Sequence, residues 1–556
     1  MKIKEIINWK ILGLSAVLAT AIPLSAQCQR FNDDDDFELM KNLEIFHTIM
    51  RNLRIMYVDE ISSGEVIKTA MDKMLESLDP YTVYYPESLV EDVTFMNTGD
   101  YAGIGIAMEN VNNSYIIGDI DKDSPADKAG LRIGDKLLVI NGKETANKTY
   151  DELELVMKGQ PGTNVNITAE RNGAKHDYQM KRAMISVPNI PYYGEIAPKV
   201  GYISLSGFTQ DCGSELRDAF IKLKNDKKIE KLIIDLRDNP GGLLVEAVNI
   251  VNIFCNQGET VVDMRGRVSE WNKIFKAEKA PLDTEIPIAV LVNDHSASAA
   301  EIVSGALQDL DRAVIIGSKT YGKGLVQTTK DLVYNSKMKL TTAKYYIPSG
   351  RCIQKLDYAH KDSSGKASTI AESQYRVFKT KNGRPVKDAG GIMPDIIVSN
   401  DTMSYLLENL LDENIIFNYA TQYREKHSQI AEPEQFSITE SDLADFRKYA
   451  GEKLYNYETD ADKTLKMLEE TLSSEYSSAE INATIKTLKS QIAQQKRQEF
   501  EPNKELISLM LGTEIVRRYY YLEGLLRYSI KQDRVIDKAI EVLNDAVLYK
   551  KILSGK

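Results

Sequence analysis

The sequence predicts an α/β protein built around a parallel sheet, and three observations carry that expectation. Lys231–Leu236, Ile286–Val292 and Arg312–Ile316 are short, nearly unbroken apolar runs of buried-strand length. Helix-length stretches follow the first two, Leu243–Phe254 and a segment carrying Ile302, Val303, Ala306 and Leu307. Glycine- or serine-rich turns, Arg237-Asp-Asn-Pro-Gly-Gly242 and Asn293-Asp-His-Ser-Ala-Ser298, join each strand to its helix. Apolar strands alternating with helices imply a parallel sheet covered on both faces. Thr341–Ile347 reads as a further strand before Pro348-Ser349-Gly350. At 556 residues the chain exceeds one core, and roughly three to five folding units are expected.

The N-terminal end reads as an export signal. Lys2, Lys4 and Lys10 precede the apolar run Ile11–Ile22, and Pro23-Leu-Ser-Ala26 offers a small-residue cleavage site. Segment 1–26 is therefore expected to be a signal peptide and the address a bacterial envelope, periplasmic. Cys28 follows Gln27, a poor fit to a lipid-attachment site, and membrane association stays open. Cys212, Cys255 and Cys352 leave one disulfide open, and no Cys/His spacing suits a metal. The net charge of −11 argues against nucleic-acid binding, which needs clustered Lys and Arg.

Residues 37–98 read helical, with Leu43, Phe46, His47 and Met50 at helical spacing and His47 expected in the core or half-buried; Leu78-Asp-Pro-Tyr81 breaks the pattern. Residues 99–183 change character. Ile104, Ile106 and Met108 alternate, Leu137–Ile140 is a short run, a helix fits Tyr150–Met157, and Val165–Arg171 is the last strand. The segments Tyr101-Ala-Gly-Ile-Gly-Ile106, Ser124-Pro-Ala-Asp-Lys-Ala-Gly-Leu131, Ile133-Gly-Asp135 and Ile140-Asn-Gly142 resemble a PDZ domain. The resemblance implies that Gly103, Ile104, Gly105 and Ile106 form the loop whose backbone N–H groups take a ligand's C-terminal carboxylate. Residues 399–556 read as polar-rich helices, with Ile536, Ala539, Ile540, Leu543 and Val547 on one face. They are expected to be a helical accessory domain and an oligomer or adaptor surface.

The chemistry centres on Ser298 and Lys323. Ser298 stands at a strand-to-helix junction, where helix N-terminal N–H groups stabilise a developing oxyanion. Ser298-Ala-Ala-Glu301 is also a capping box, which competes with a catalytic role; Ser296 is placed to serve the same turn and free Ser298. Lys323 lies between two glycines and serves as a base only if burial brings its pKa from ~10.4 to roughly 7–8. Gly317-Ser-Lys-Thr-Tyr-Gly-Lys323-Gly324 nearly matches a phosphate loop, but Gly324 stands where Ser or Thr should hold magnesium and a β-prone run follows. His295 lies in the serine's own turn, poor geometry for a triad base.

The chain resembles the C-terminal processing peptidases, a family of Ser-Lys proteases. The resemblance rests on Leu78-Asp-Pro-Tyr81, Asp235-Leu-Arg-Asp-Asn-Pro-Gly-Gly242, Val292-Asn-Asp-His-Ser-Ala-Ser-Ala-Ala-Glu301, Ala306-Leu-Gln-Asp309, Thr320-Tyr-Gly-Lys-Gly-Leu-Val-Gln327, Ile347-Pro-Ser-Gly-Arg351 with Ile353-Gln354, and Gly390-Gly-Ile-Met-Pro-Asp395. It implies a ClpP/crotonase-like catalytic core over 184–398 with the PDZ domain inserted before it. Ser298 would be the nucleophile, Lys323 the general base and Gln327 its orienter. The N–H groups of Ala299 and of Gly241 or Gly242 would form the oxyanion hole. No metal or organic cofactor is implied. The expected partner is a protein or peptide with an apolar C-terminal tail, and the competing class is a non-catalytic PDZ adaptor of the envelope.

Overall fold

Side-chain alternation along the strands decides what each face of the central sheet meets. The computed structural model describes residues 33–363, 365–398, 403–475 and 478–555. Its six central strands are Tyr192–Ala197, Val200–Ser204, Lys231–Asp235, Ile288–Val292, Val314–Gly317 and Ile396–Ile397, adjacent in that order. The first two pair antiparallel and every later neighbour pairs parallel. Leu232, Ile234, Ile288, Val290 and Val292 face the helices Cys212–Asp226, Leu244–Phe254 and Ala299–Asp309 in one core. Ile233, Ala289, Leu291, Val314 and Ile316 face the other way. With both faces covered, all of Ile288–Val292 is buried.

The second cover comes from the end of the chain. Val535, Ile536, Ala539, Val542 and Leu543 of the helix Arg534–Asn544, with Tyr549 of Ala546–Ser554, pack on that face. The Tyr549 hydroxyl accepts from the Ile288 N–H at 2.9 Å and lies 3.2 Å from the Ile288 carbonyl. Segment 399–556 is thus not one body apart from the sheet. Its last two helices complete the sandwich, while Tyr405–Asp412, Ile415–Lys426, Glu440–Ala450 and Lys504–Ser529 share a separate core. Val547, expected on the same face as Ile536, is 79% exposed. Asp545 caps a new helix there and restarts the register.

A second, antiparallel sheet carries the lysine side of the site. Lys337–Tyr346 pairs with Leu325–Asp331, Thr260–Gly266 and the short strand Val83–Tyr85. That last strand lies inside the stretch expected to be helical; around it the helices are Asp33–Met56, Ser63–Glu76 and Val90–Thr98. Asp79 makes the break, accepting from the N–H groups of Tyr81 and Thr82 at 2.8 Å each.

The PDZ segment forms a sheet ordered Ile106–Val111, Ser114–Ile120, Lys136–Ile140, Asn164–Arg171, Ala174–Lys181. Asn164–Arg171 is not its last strand: the sequence from Ala174 is mostly polar and exposed, so it lacks the apolar signal. Asp100–Gly103 pairs with Ala183–Ser186, closing the segment where the chain enters and leaves it. The chain divides into two units, Met1–Met74 and Leu75–Lys556. In the first, His47 is exposed rather than in the core or half-buried, as are Leu43 and Phe46 beside it. Cys212, Cys255 and Cys352 are all unpaired. No helix among the described residues is long and apolar enough to cross a membrane. Segment 1–26 and Cys28 lie outside the described residues.

Candidate active site

The strand Ile288–Val292 ends in a turn that Ser296 holds together. Its hydroxyl donates to the Leu236 carbonyl at 2.7 Å and accepts from the Asn293 N–H at 2.9 Å. Ser298 follows at φ 54°, ψ −112°, a left-handed conformation costly for any residue with a Cβ. It is half-buried at the head of the helix Ala299–Asp309. Part of the expected capping box is made, since the Ser298 N–H donates to Glu301 Oε2 at 2.9 Å.

Glu301 does more than cap. It is fully buried, and each carboxylate oxygen takes two donors. Oε2 accepts from the N–H groups of Ser298 and Lys323, the latter at 2.8 Å. Oε1 accepts from the Thr320 hydroxyl at 2.6 Å and the Gly322 N–H at 2.8 Å. One side chain therefore binds the serine turn to the lysine turn. Tyr345 adds a second tie, its hydroxyl lying 2.7 Å from the Lys323 carbonyl and 3.2 Å from that of Ser298. Burial pushes the Glu301 carboxyl up to about 7, and its four donors oppose a further rise. The capping pattern was visible in sequence; the tie to Lys323 depends on how the two turns meet.

Lys323 is half-buried, and its Nζ makes no hydrogen bond or ion pair among the described residues. The ammonium sits over the Tyr81 ring at 4.4 Å from its centre. Burial, and then the like charge of Lys339, lower its pKa to about 8, while Glu301 and Asp79 pull it back up. Tyr81 is the residue sequence reasoning missed. Its Leu-Asp-Pro-Tyr segment was matched, but only the antiparallel pairing of Val83–Tyr85 with Lys337–Lys339 brings it here. Gln327 donates to Thr341 Oγ1 at 3.2 Å, and no hydrogen bond joins it to Lys323. After Gly317-to-Gly324 comes the strand Leu325–Asp331, so no helix dipole faces the glycine-rich loop.

The glycine turn lies against the serine. A Cβ on Gly241, at φ 97°, would meet the Ala297 carbonyl at 2.7 Å, Ser298 Cβ at 2.8 Å and the Ala299 nitrogen at 2.9 Å. The Gly241 N–H is occupied, donating to Asn239 Oδ1 at 2.8 Å. The N–H groups of Gly242 and Ala299 make no hydrogen bond among the described residues. His295 is 72% exposed and pairs with Asp238 at 3.0 Å, out on the surface. In the PDZ segment Ile106–Val111 is an edge strand, and the N–H groups of Ile104 and Gly105 make no hydrogen bond among the described residues.

A strained serine at a strand-to-helix turn, tied to a desolvated lysine and followed by a free helix N–H, is the arrangement of a serine peptidase class, here joined to a PDZ fold. Residues 199–360 match peptidase family S41, residues 102–181 match the PDZ domain, and residues 406–543 match the probable PDZ-protease C-terminal helical domain. The carboxy-terminal-processing protease of Bartonella bacilliformis is 36% identical over 351 residues, 62% of this chain and 80% of that one. The chain belongs to this family, the carboxy-terminal-processing proteases of peptidase family S41. A probable CtpA-like serine protease of Staphylococcus aureus is 36% identical over 318 residues, 56% of this chain; the match spans 62% of that relative's length. A solved photosystem II D1 C-terminal processing protease is 23% identical over 65% of this chain and 94% of its own, at a TM-score of 0.36.

Proposed function

We propose that this chain is a serine endopeptidase of the bacterial envelope that cuts proteins near their C-termini with a Ser-Lys dyad. In this reading the PDZ domain, residues 99–183, takes an apolar tail as an added strand along Ile106–Val111. Its carboxylate goes to the N–H groups of the Gly103–Ile106 loop. The catalytic core, 184–398, has a ClpP/crotonase-like fold. Lys323 Nζ removes the Ser298 hydroxyl proton as Oγ attacks the scissile carbonyl, and the N–H groups of Gly242 and Ala299 stabilise the oxyanion. Lys323 then protonates the leaving amine, and water releases the acyl-enzyme. Gln327 orients Lys323 once the side chain leaves the Tyr81 ring. Residues 1–26 are removed on export and 37–98 precede the PDZ domain. Residues 399–556 include the surface for an oligomer or adaptor.

The observation that carries this reading is Glu301, a single buried carboxylate accepting from the backbone of both Ser298 and Lys323. An adaptor that only binds tails has no use for that tie. The test is incubation of full-length wild type, Ser298→Ala and Lys323→Arg with a protein ending in apolar residues. Wild type is expected to shorten it, and both variants to be slower by at least ~10³-fold. Equal failure of all three, with tail binding intact, would make the chain a PDZ adaptor instead.

A further inference from the structure

The turn that offers the Gly242 N–H does not hold its shape unaided. Asp238, Gly241 and Gly242 sit at φ 58°, 97° and 148°. Asp238 carries a Cβ, so its left-handed torsion persists only where the surroundings impose it, whereas the two glycines adopt theirs freely. On its downstream side Asn239 ties the turn, donating to the Leu205 carbonyl at 2.7 Å while its own carbonyl accepts from the Ala297 N–H at 2.9 Å. On its upstream side the anchor is Arg237. Its Nε and Nη2 fork onto Asp235 at 2.9 and 2.6 Å, and Asp235 also accepts from the Arg237 N–H at 3.0 Å and the Tyr202 hydroxyl at 2.8 Å.

The remaining arm of the fork leaves the sheet. Arg237 Nη1 lies 2.7 Å from Asp533 Oδ2, and the two side chains keep only 20% and 19% of their surface exposed. Salt therefore screens the pair weakly. Asp533 Oδ1 meanwhile caps the helix Arg534–Asn544, accepting from the N–H groups of Val535 and Ile536 at 2.9 and 3.1 Å. One carboxylate both starts the helix that covers the sheet and grips the residue that opens the glycine turn.

We propose that Asp533, acting through Arg237, is a positioning residue for the Gly242 oxyanion donor, which makes the C-terminal helical segment part of the catalytic machinery. This rests on the peptidase reading and deepens it. Asp533→Asn and Asp533→Ser both keep a side chain that caps a helix and take the carboxylate away from Arg237. Each is made in the full chain and compared with wild type on a cleavable tail peptide. Each is also titrated with a peptidyl aldehyde, whose carbonyl carbon bonds to Ser298 Oγ and whose oxygen then occupies the oxyanion position. Both variants are expected to lose ~10-fold or more in kcat at unchanged KM, with a matching loss of aldehyde affinity. On a Ser298→Ala background they should bind the uncut peptide as wild type does. Wild-type kcat and aldehyde affinity in either folded variant overturns the proposal, and so does equal weakening of peptide and aldehyde binding. Absence of cleavage by wild type itself overturns the peptidase reading and the proposal with it, a result separable from the others by that control.

Discussion

In the proposed mechanism Lys323 loses a proton near neutral pH, and its neighbours push in opposite directions. Burial and Lys339 favour the neutral amine; Glu301, Asp79 and the Tyr81 ring favour the ammonium. Glu301→Gln removes the anion and puts an NH2 donor where one oxygen now takes two donors. It is expected to lower kcat roughly 10²-fold by loosening the two turns. The same change takes away a charge that held the Lys323 pKa up, so the rise of activity with pH should move to lower pH. A pH-rate profile of the variant checks both. Ser298 and Lys323 were legible because motif order singles them out. The partner of Gln327 and the Tyr81 ring were not, since both depend on which strands pair and in what register.

The glycine turn shows the same limit among the elements. Sequence left open whether Gly241 or Gly242 donates, because both suit a tight turn. In the proposed mechanism the hydrogen bond from the Gly241 N–H to Asn239 leaves Gly242 as the donor. Gly242→Ala would drive its Cβ into the Phe208 carbonyl at φ 148°. It is expected to cost ~10²–10³-fold in kcat, the usual loss of one oxyanion donor, with little change in KM. Steady-state kinetics decide it. The short apolar strands of the central sheet could be read directly from their nearly unbroken hydrophobic runs. Thr260–Gly266 and Ala174–Lys181 could not, since edge and half-exposed strands carry mixed polarity.

At the scale of the molecule, the C-terminal end of the chain is structural as well as accessory. Its apolar face was visible in Ile536, Ala539 and Leu543, but not the sheet face it covers, because a helical stripe does not name its partner. Leu543 is 2% exposed in that core. Leu543→Ala is therefore expected to destabilise the fold by about 2–5 kcal/mol, read by denaturant unfolding, whereas Val547→Ala on the exposed side should be near neutral.

The central claim is that neutral Lys323 activates Ser298, and kcat/KM of the full-length enzyme measured from roughly pH 5 to 10 tests it most directly. A lysine lowered to about 8 is protonated and inactive as a base below that value. Activity should therefore rise through pH about 8 to a plateau above it, and vanish at every pH in Lys323→Met. A rise centred near ~6.5, as a histidine base would give, or activity surviving in Lys323→Met, would contradict the dyad.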